Sequence, residues 1–162
     1  MTGCGENSNN NSLKGSKVTI TDINGNSTEL TMDEFKSKVE GNVTSFNNKY
    51  LTGKITLTGK IKSINDANDF ISSDDFTCGV YNTEYYKKLV DIELEDDWIL
   101  LTIRKDKDEV DIDNLVVGDT ITVESNIANA SVYEGEPFVY VHSDDGSHCK
   151  FGEDATKITK EE

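Results

Sequence analysis

Several kinds of chemistry are missing from this sequence. Its 162 residues include one proline, two histidines and three cysteines, and no apolar run approaches the roughly 18 residues of a membrane-spanning helix. Neither Cys-x-x-Cys nor His-x-x-x-His occurs, so the ligand spacing of a structural zinc site is absent. The phosphate-binding pattern Gly-x-x-x-x-Gly-Lys-Ser/Thr is also absent. The two histidines, His142 and His148, lie close together near one end of the sequence and indicate no nucleophile-and-base arrangement. We therefore predict no enzyme activity, no metal site and no cofactor.

Positive charge is scarce as well. The net charge is −15: residues 1–63 carry 8 lysines against 6 acidic residues, whereas residues 64–162 carry 8 basic residues against 25 acidic ones. Nucleic-acid-binding domains normally show a basic footprint, and most of this chain would repel a phosphate backbone. The acidic excess favours solubility. It also suits a cationic partner or a divalent ion.

The first motif that is present is Thr2-Gly3-Cys4. A small residue pair followed by cysteine looks like the lipobox at which the signal peptide of a bacterial prolipoprotein is removed and the cysteine is lipidated. The polar run that follows is typical of a flexible tether. We therefore predict that residues 1–16 tether the protein to the membrane through lipidated Cys4, at the bacterial cell envelope and facing outside the cytoplasm. A diacylglyceryl cysteine would supply the two acyl chains that stable anchoring needs. The alternative is an ordinary thiol in a disordered tail.

Two further cysteines, Cys78 and Cys149, form an even pair. Outside the cytoplasm such a pair is often joined. If the Cα atoms lie within about 7 Å of each other, a bridge closing about 70 residues would add about 4 kcal/mol in the chain-entropy model. Two buried, unpaired thiols are the alternative.

The folded part begins with a predicted β-hairpin and helix. Residues 18–23 alternate apolar and polar side chains and run into Asn24-Gly25, the strongest short-range hairpin signal. Thr31 and Glu34 then have the spacing of a helix capping box. Apolar residues recur every three or four positions after it: Phe35, Val39, Val43, Phe46 and Tyr50. This pattern predicts a helix near 32–48. Gly41 favours a break in it, because glycine costs a helix about 1 kcal/mol relative to alanine.

Alternation with a period of two then predicts five strands, which lie in 54–62, 90–95, 98–104, 115–123 and 138–142. Gly59 within the first strand suggests a bend. Pro137 is expected to lie just before the last strand. A long segment, 65–88, is rich in Asn, Asp and Ser and separates the first two strands.

This order of elements resembles the tRNA_anti-like family of OB-fold domains found in bacterial lipoproteins and secreted proteins. Two stretches carry the resemblance: Tyr50-Leu51-Thr52-Gly53-Lys54-Ile55-Thr56-Leu57-Thr58-Gly59-Lys60-Ile61, and Leu115 to Val123 with its Gly-Asp-x-Ile-x-Val. The resemblance covers about 32–142 and implies a mostly β fold, a five-stranded OB-fold barrel preceded by a β-hairpin and an α-helix. We assign one domain to 17–151, with 65–88 as an insertion that departs from the compact family pattern, and an acidic tail to 152–162.

The resemblance implies ligand binding. OB-folds bind through the face of strands two and three and through the loops that join strands one to two and four to five. In this chain those positions carry six aromatic residues: Phe76, Tyr81, Tyr85 and Tyr86 in the long loop, Trp98 on the outer face, and Tyr133 in the last loop. Aromatic side chains in acidic surroundings suit a saccharide, another small molecule, a peptide or a basic protein. We expect a monomeric, non-catalytic binding module.

Other interpretations remain open. Single-stranded nucleic acid is one alternative, because aromatic residues can stack on bases, but the basic groove that such proteins need is limited to Lys54, Lys60 and Lys62. An inhibitor or immunity-type protein that blocks a basic partner is a second alternative. Each selected aromatic residue also has a purely structural alternative, in which it packs the loop onto the barrel.

Overall fold

The structure of the protein is a computed structural model that describes residues 17–66, 89–105, 108, 110–142 and 156–162. Several residues singled out by the sequence lie outside these ranges, so the roles predicted for them stay predictions: Cys4, Phe76, Cys78, Tyr81, Tyr85, Tyr86 and Cys149.

The described chain is mostly β. Its strands are β1 (Lys17–Thr21), β2 (Ser27–Thr31), β3 (Lys54–Asp66), β4 (Leu89–Leu94), β5 (Ile99–Arg104), β6 (Thr120–Tyr133), β7 (Glu136–Val141) and β8 (Lys157–Lys160). Two helices, α1 (Met32–Gly41) and α2 (Val43–Tyr50), lie between β2 and β3, and a 3₁₀ turn (Ile112–Asn114) precedes β6. Among the described residues, no helix combines the length and the apolar character needed to cross a membrane.

All eight strands join one sheet in the order β2-β1-β3-β4-β5-β7-β6-β8, and β3 also pairs with β6. The length of β3 allows both pairings: Lys54–Lys60 pair with β6, and Ile61–Asp66 pair with β4, with a register shift between Ile61 and Ser63. The pairings therefore run from β3 through β4, β5, β7 and β6 and return to β3. Only β5 and β7 are parallel among the pairs of described strands.

β7 and β8 lie end to end along β6. β7 ends at the pair Val141–Ile127, and β8 begins at the pair Lys157–Glu124. Both strands are antiparallel to β6, so β8 pairs with β6 beyond the point where β7 ends. Residues 143–155 connect β7 to β8 along the chain, together with His142 and Thr156.

Two boundaries differ from the sequence predictions. Lys157–Lys160 form a strand where an acidic tail was predicted. Pro137 lies within β7, opposite Val132, and not before the strand. Val139 N–H donates to Trp98 O at 2.8 Å, so it points toward β5. Backbone direction alternates along a strand, so the nitrogen of Pro137, two positions earlier, points to the same side. Pairing with β5 begins only at Val139, so the missing N–H of Pro137 breaks no bond of the ladder.

The predicted helix is present as two helices. Thr31 and Glu34 form the predicted capping box: Glu34 N–H donates to Thr31 Oγ1 at 3.2 Å, and Thr31 N–H donates to Glu34 Oε2 at 2.7 Å. The break predicted near Gly41 falls at Asn42. Asn42 Oδ1 accepts from Ser45 N–H at 2.9 Å and thereby caps the second helix.

Replacing Thr31 by alanine is expected to cost about 1 kcal/mol of unfolding free energy, because Thr31 is the N-cap of α1. Urea unfolding followed by circular dichroism measures this loss. Ser37→Ala, at an exposed position inside the same helix, is the matched control and should leave stability nearly unchanged. Equal effects of the two substitutions would contradict the capping role.

The core lies between the helices and the inner side of the sheet. Phe35 of α1 contacts two other rings, with centroid distances of 4.9 Å to Trp98 and 5.9 Å to Phe46, and Phe46 lies 4.9 Å from Tyr50. Trp98 is only 8% exposed. The predicted placement of Trp98 on the outer face is therefore wrong: its ring packs against Phe35 in the core.

Candidate functional site

The outer side of β4, β5 and β7 forms one continuous surface. Val90, Ile92 and Leu94 of β4 point into the core, so the alternate residues point outward, and β5 and β7 alternate in the same way. We call this surface the β4–β5–β7 face; it consists of Asp91, Glu93, Leu100, Thr102, Phe138 and Tyr140. Five of these residues are partly exposed, whereas Asp91 is only 8% exposed.

The register aligns one row of side chains across this face. Glu93 pairs with Leu100, and Leu100 pairs with Tyr140. Ser63 of β3 extends the row beyond Glu93, and Asn129 of β6 extends it beyond Tyr140. All five residues are partly exposed. At about 4.8 Å per strand the row spans about 19 Å, which is long enough to contact several units of a polymeric ligand.

The face carries two carboxylates, and each accepts a hydrogen bond from a hydroxyl group. Thr102 Oγ1 donates to Asp91 Oδ1 at 2.7 Å, and Ser63 Oγ donates to Glu93 Oε2 at 3.0 Å. Burial raises the pKa of Asp91, the hydrogen bond from Thr102 opposes this shift, and the charge of Glu93 adds to it. A carboxylate kept in surroundings that disfavour its charge is a feature that functional sites share.

Among the side chains that the structure describes, Lys62 borders the face beside Glu93. Lys62 Nζ lies 2.6 Å from Asp97 Oδ1. The hydrogen bond and the charge of Asp97 raise the pKa of Lys62, and the charge of Glu93 contributes more weakly. Because Lys62 is held by Asp97, it does not neutralise the carboxylates of the face.

Tyr133 lies at the tip of the β6–β7 hairpin, at one end of the face. Glu134 and Gly135 have positive φ angles of 51° and 80°, as the two central residues of a type I′ turn require. Tyr133 pairs with Glu136 and is 67% exposed. Cross-strand partners project to the same side, so the hairpin register puts Tyr133 on the same side as Phe138 and Tyr140. The three rings therefore follow β7 along one edge of the face.

A cavity of about 480 Å³ adjoins the other end of the face, where β3 and β5 end and β4 begins. Its described lining combines apolar and polar side chains: Ile64, Val90, Val110, Ile112, Asn65, Asp66, Lys105, Asp111 and Asp113. Lys105 Nζ lies 3.1 Å from Asp66 Oδ1. Asn65 pairs with Asp91, so this cavity and the face are neighbours. The three aspartates extend the acidic character of the face to the strand ends.

The described residues contain no group of three or more His, Cys, Asp or Glu side chains arranged to hold a metal ion. The carboxylates of the face are engaged with hydroxyl donors instead. The chemistry that the face offers is therefore aromatic contact, negative charge and hydrogen-bond acceptance.

Of the ligand residues predicted from the sequence, the structure puts Tyr133 at the end of this face and Trp98 in the core. Sequence reasoning missed Leu100, Phe138 and Tyr140 as candidates. The sequence does contain a signal for Phe138 and Tyr140. They alternate with Val139 and Val141, which are the buried residues of β7, so alternation puts Phe138 and Tyr140 on the outward side.

No protein-family model, no curated protein and no solved structure matches this chain. The function of the face is therefore inferred from its own geometry.

Asp91→Asn is expected to stabilise the protein at neutral pH. A raised pKa in the folded state means that Asp91 contributes stability below its unfolded pKa of about 3.9, and that this contribution is lost as the pH rises through the folded pKa. Asparagine keeps the acceptor for Thr102 and removes the charge. Urea midpoints should be higher than those of the wild type at pH 7 and equal to them near pH 3.

Thr102→Val is the matched control, and it is expected to change the urea midpoint in the opposite direction. It keeps the shape of the side chain but removes the donor to Asp91, so it should lower the urea midpoint at pH 7 more than at pH 3. If Asp91→Asn destabilised the protein at pH 7, the cost assigned to the buried charge would be refuted.

Proposed function

We propose that this protein is a non-catalytic binding module of the OB-fold type, and that the β4–β5–β7 face is its ligand site. The observation that carries the proposal is the return of the strand pairings to β3. With β3, β4, β5, β6 and β7 taken as strands one to five of an OB barrel, β4 and β5 become strands two and three, the strands through which OB-folds bind ligands.

The two loops that OB-folds use for binding also have counterparts. The β6–β7 turn that bears Tyr133 corresponds to the loop between strands four and five. Residues 67–88 connect β3 to β4 and correspond to the loop between strands one and two. The resemblance to the tRNA_anti-like family supports the same assignment.

The composition of the face favours binding over catalysis. Its two carboxylates each accept from a hydroxyl group, and the residues between and beside them include Leu100, Phe138 and Tyr140, which offer mainly contact area. Aromatic side chains of this kind dominate the energetics of binding sites.

We propose a location for the module from its N-terminal motif. Lipidation of Cys4 would hold the domain at the outside of the cell envelope, with residues 5–16 as the tether. Membrane fractionation of the bacterial host tests this: the wild-type protein should sediment with membranes, and Cys4→Ser should be released. Equal distribution of the two forms would contradict the lipid anchor.

The binding role is tested by titrating isotope-labelled protein with three probes: an oligolysine peptide, a soluble oligosaccharide and a thymidine oligonucleotide. At least one probe should shift amide signals that concentrate on β4, β5 and β7. Tyr140→Ala should weaken that binding at least about fivefold. Thr58→Ala, on the outer side of β3 where Thr58 contacts Thr122, should not. Signals that move elsewhere, or with none of the probes, would refute the assignment of the face.

Nucleic acid remains the alternative function, because the rings of the face could stack on bases. The negative charges of Asp91 and Glu93 disfavour it. Binding of the oligonucleotide with a steep salt dependence would favour this alternative.

A further inference from the structure

We infer that the β4–β5–β7 face binds an extended peptide segment rich in lysine or arginine. The inference rests on the proposed function and names the class of its ligand. It follows from the charges around the face, from the order of side chains across it, and from the spacing of side chains along it.

Negative charge surrounds the face. Asp91 and Glu93 lie on it, and Glu136 pairs with Tyr133 at its end. The bordering Lys62 is bound to Asp97. In the wider sequence, residues 64–162 carry 25 acidic residues against 8 basic ones. This field concentrates cations at the surface and repels phosphate.

The register orders the side chains across the face. Glu93 of β4, Leu100 of β5 and Tyr140 of β7 lie in one row, with a carboxylate at one end and a ring at the other. Asp91, which is only 8% exposed, lies one row further in one direction along the strands, and Phe138 lies one row further in the opposite direction. A lysine or arginine above Leu100 meets the carboxylate of Glu93 on one side and the ring of Tyr140 on the other. Guanidinium and ammonium groups bind favourably to both.

The spacing along the strands matches an extended peptide. Asp91 and Glu93 are two positions apart on β4, as are Phe138 and Tyr140 on β7, which corresponds to about 6.8 Å. Alternate side chains of an extended peptide repeat at the same distance. A peptide lying along β5 can therefore put one cation between Glu93 and Tyr140, and its same-side neighbours near Asp91 in one direction and near Phe138 in the other.

The experiment measures fluorescence anisotropy of labelled peptides with the whole protein at about 0.1 M salt, where charges further apart than about 10 Å are largely screened. The probes are a peptide that alternates lysine and threonine, the same peptide with glutamate for lysine, and one with glutamine for lysine. A labelled soluble oligosaccharide is the fourth probe. The lysine peptide should bind at least about tenfold more tightly than the other three.

Two variants with the same net charge separate a local site from general attraction. Glu93→Gln removes a charge of the face and keeps the acceptor for Ser63; it should weaken binding of the lysine peptide about five- to tenfold. Glu124→Gln removes a charge from an exposed position of β6 that pairs with Thr56 and Lys157; it should change binding less than about twofold. Urea unfolding confirms that both variants are folded.

The outcomes distinguish this inference from the proposed function. Equal effects of Glu93→Gln and Glu124→Gln would overturn the inference, because net charge alone would then explain the binding of the lysine peptide. Tighter binding of the oligosaccharide, or of the glutamine or glutamate peptide, at the same amide signals would overturn the cationic ligand and keep the binding face. Binding of no probe at this face would overturn both.

Discussion

Trp98→Ala is expected to lower the free energy of unfolding by about 3–5 kcal/mol, the usual cost of emptying a large aromatic site in a core. The indole is 8% exposed, and its centroid lies 4.9 Å from that of Phe35. Helix α1 would lose the contact that joins it to the β4–β5 turn. Urea or thermal unfolding measures the loss.

Tyr133→Ala is the matched control for this experiment, because both residues were selected from the sequence as aromatic ligand contacts. Tyr133 is 67% exposed, and its removal should change stability by less than about 0.5 kcal/mol. If the two substitutions had similar small effects, the packing role of Trp98 would be disproved.

Gly53→Ala is expected to have a second large effect, a loss of about 3 kcal/mol or more of unfolding free energy. Gly53 joins α2 to β3. A Cβ atom at this position would lie 2.1 Å from Thr21 O and 2.8 Å from Tyr50 O. Both are backbone atoms, so they cannot yield as a side chain would, and β1 or the end of α2 would have to move.

Gly41→Ala serves as the control for the glycine substitution. It adds the same methyl group where no other atom lies within 4 Å, at the last residue of α1. Alanine favours helix over glycine by up to about 1 kcal/mol, so stability should be unchanged or increased. A Gly53→Ala protein as stable as Gly41→Ala would contradict the close packing of α2, β1 and β3.

Local patterns predicted much of the secondary structure. Thr31 and Glu34 marked the helix start because the capping box depends only on residues three positions apart. Alternation marked most strands for the same reason. β8 was missed, since its four residues, Lys157–Lys160, carry one apolar side chain and become a strand through pairing with the distant β6.

The error at Trp98 has a different physical origin. The sequence prediction treats Trp98 as the first residue of the strand, and alternation then puts its side chain on the outer face. In the structure the strand begins at Ile99. Trp98 belongs to the turn before it, where inward and outward positions no longer alternate, and there its ring reaches Phe35.

The candidate site could be predicted only in part. Outward positions such as Tyr140 follow from alternation, but the row that joins Tyr140 to Leu100 and Glu93 depends on the parallel pairing of β5 with β7. Parallel neighbours distant in sequence leave no local signal. The sequence therefore predicts a ligand site mainly in the loops, whereas the structure indicates one on the strands between them.

The end-to-end arrangement of β7 and β8 bears on how this protein is made. β6 is synthesised first, and the edge of its Ile121–Glu124 stretch stays without β8 until Lys157–Lys160 have followed β7 and the connecting residues. A chain that stops before β8 leaves the N–H and C=O groups of that edge unpaired. They can then pair with a strand of another molecule, including the same edge of a second truncated chain. Premature termination near residue 150 would therefore produce an aggregation-prone chain in which every other described strand is already present.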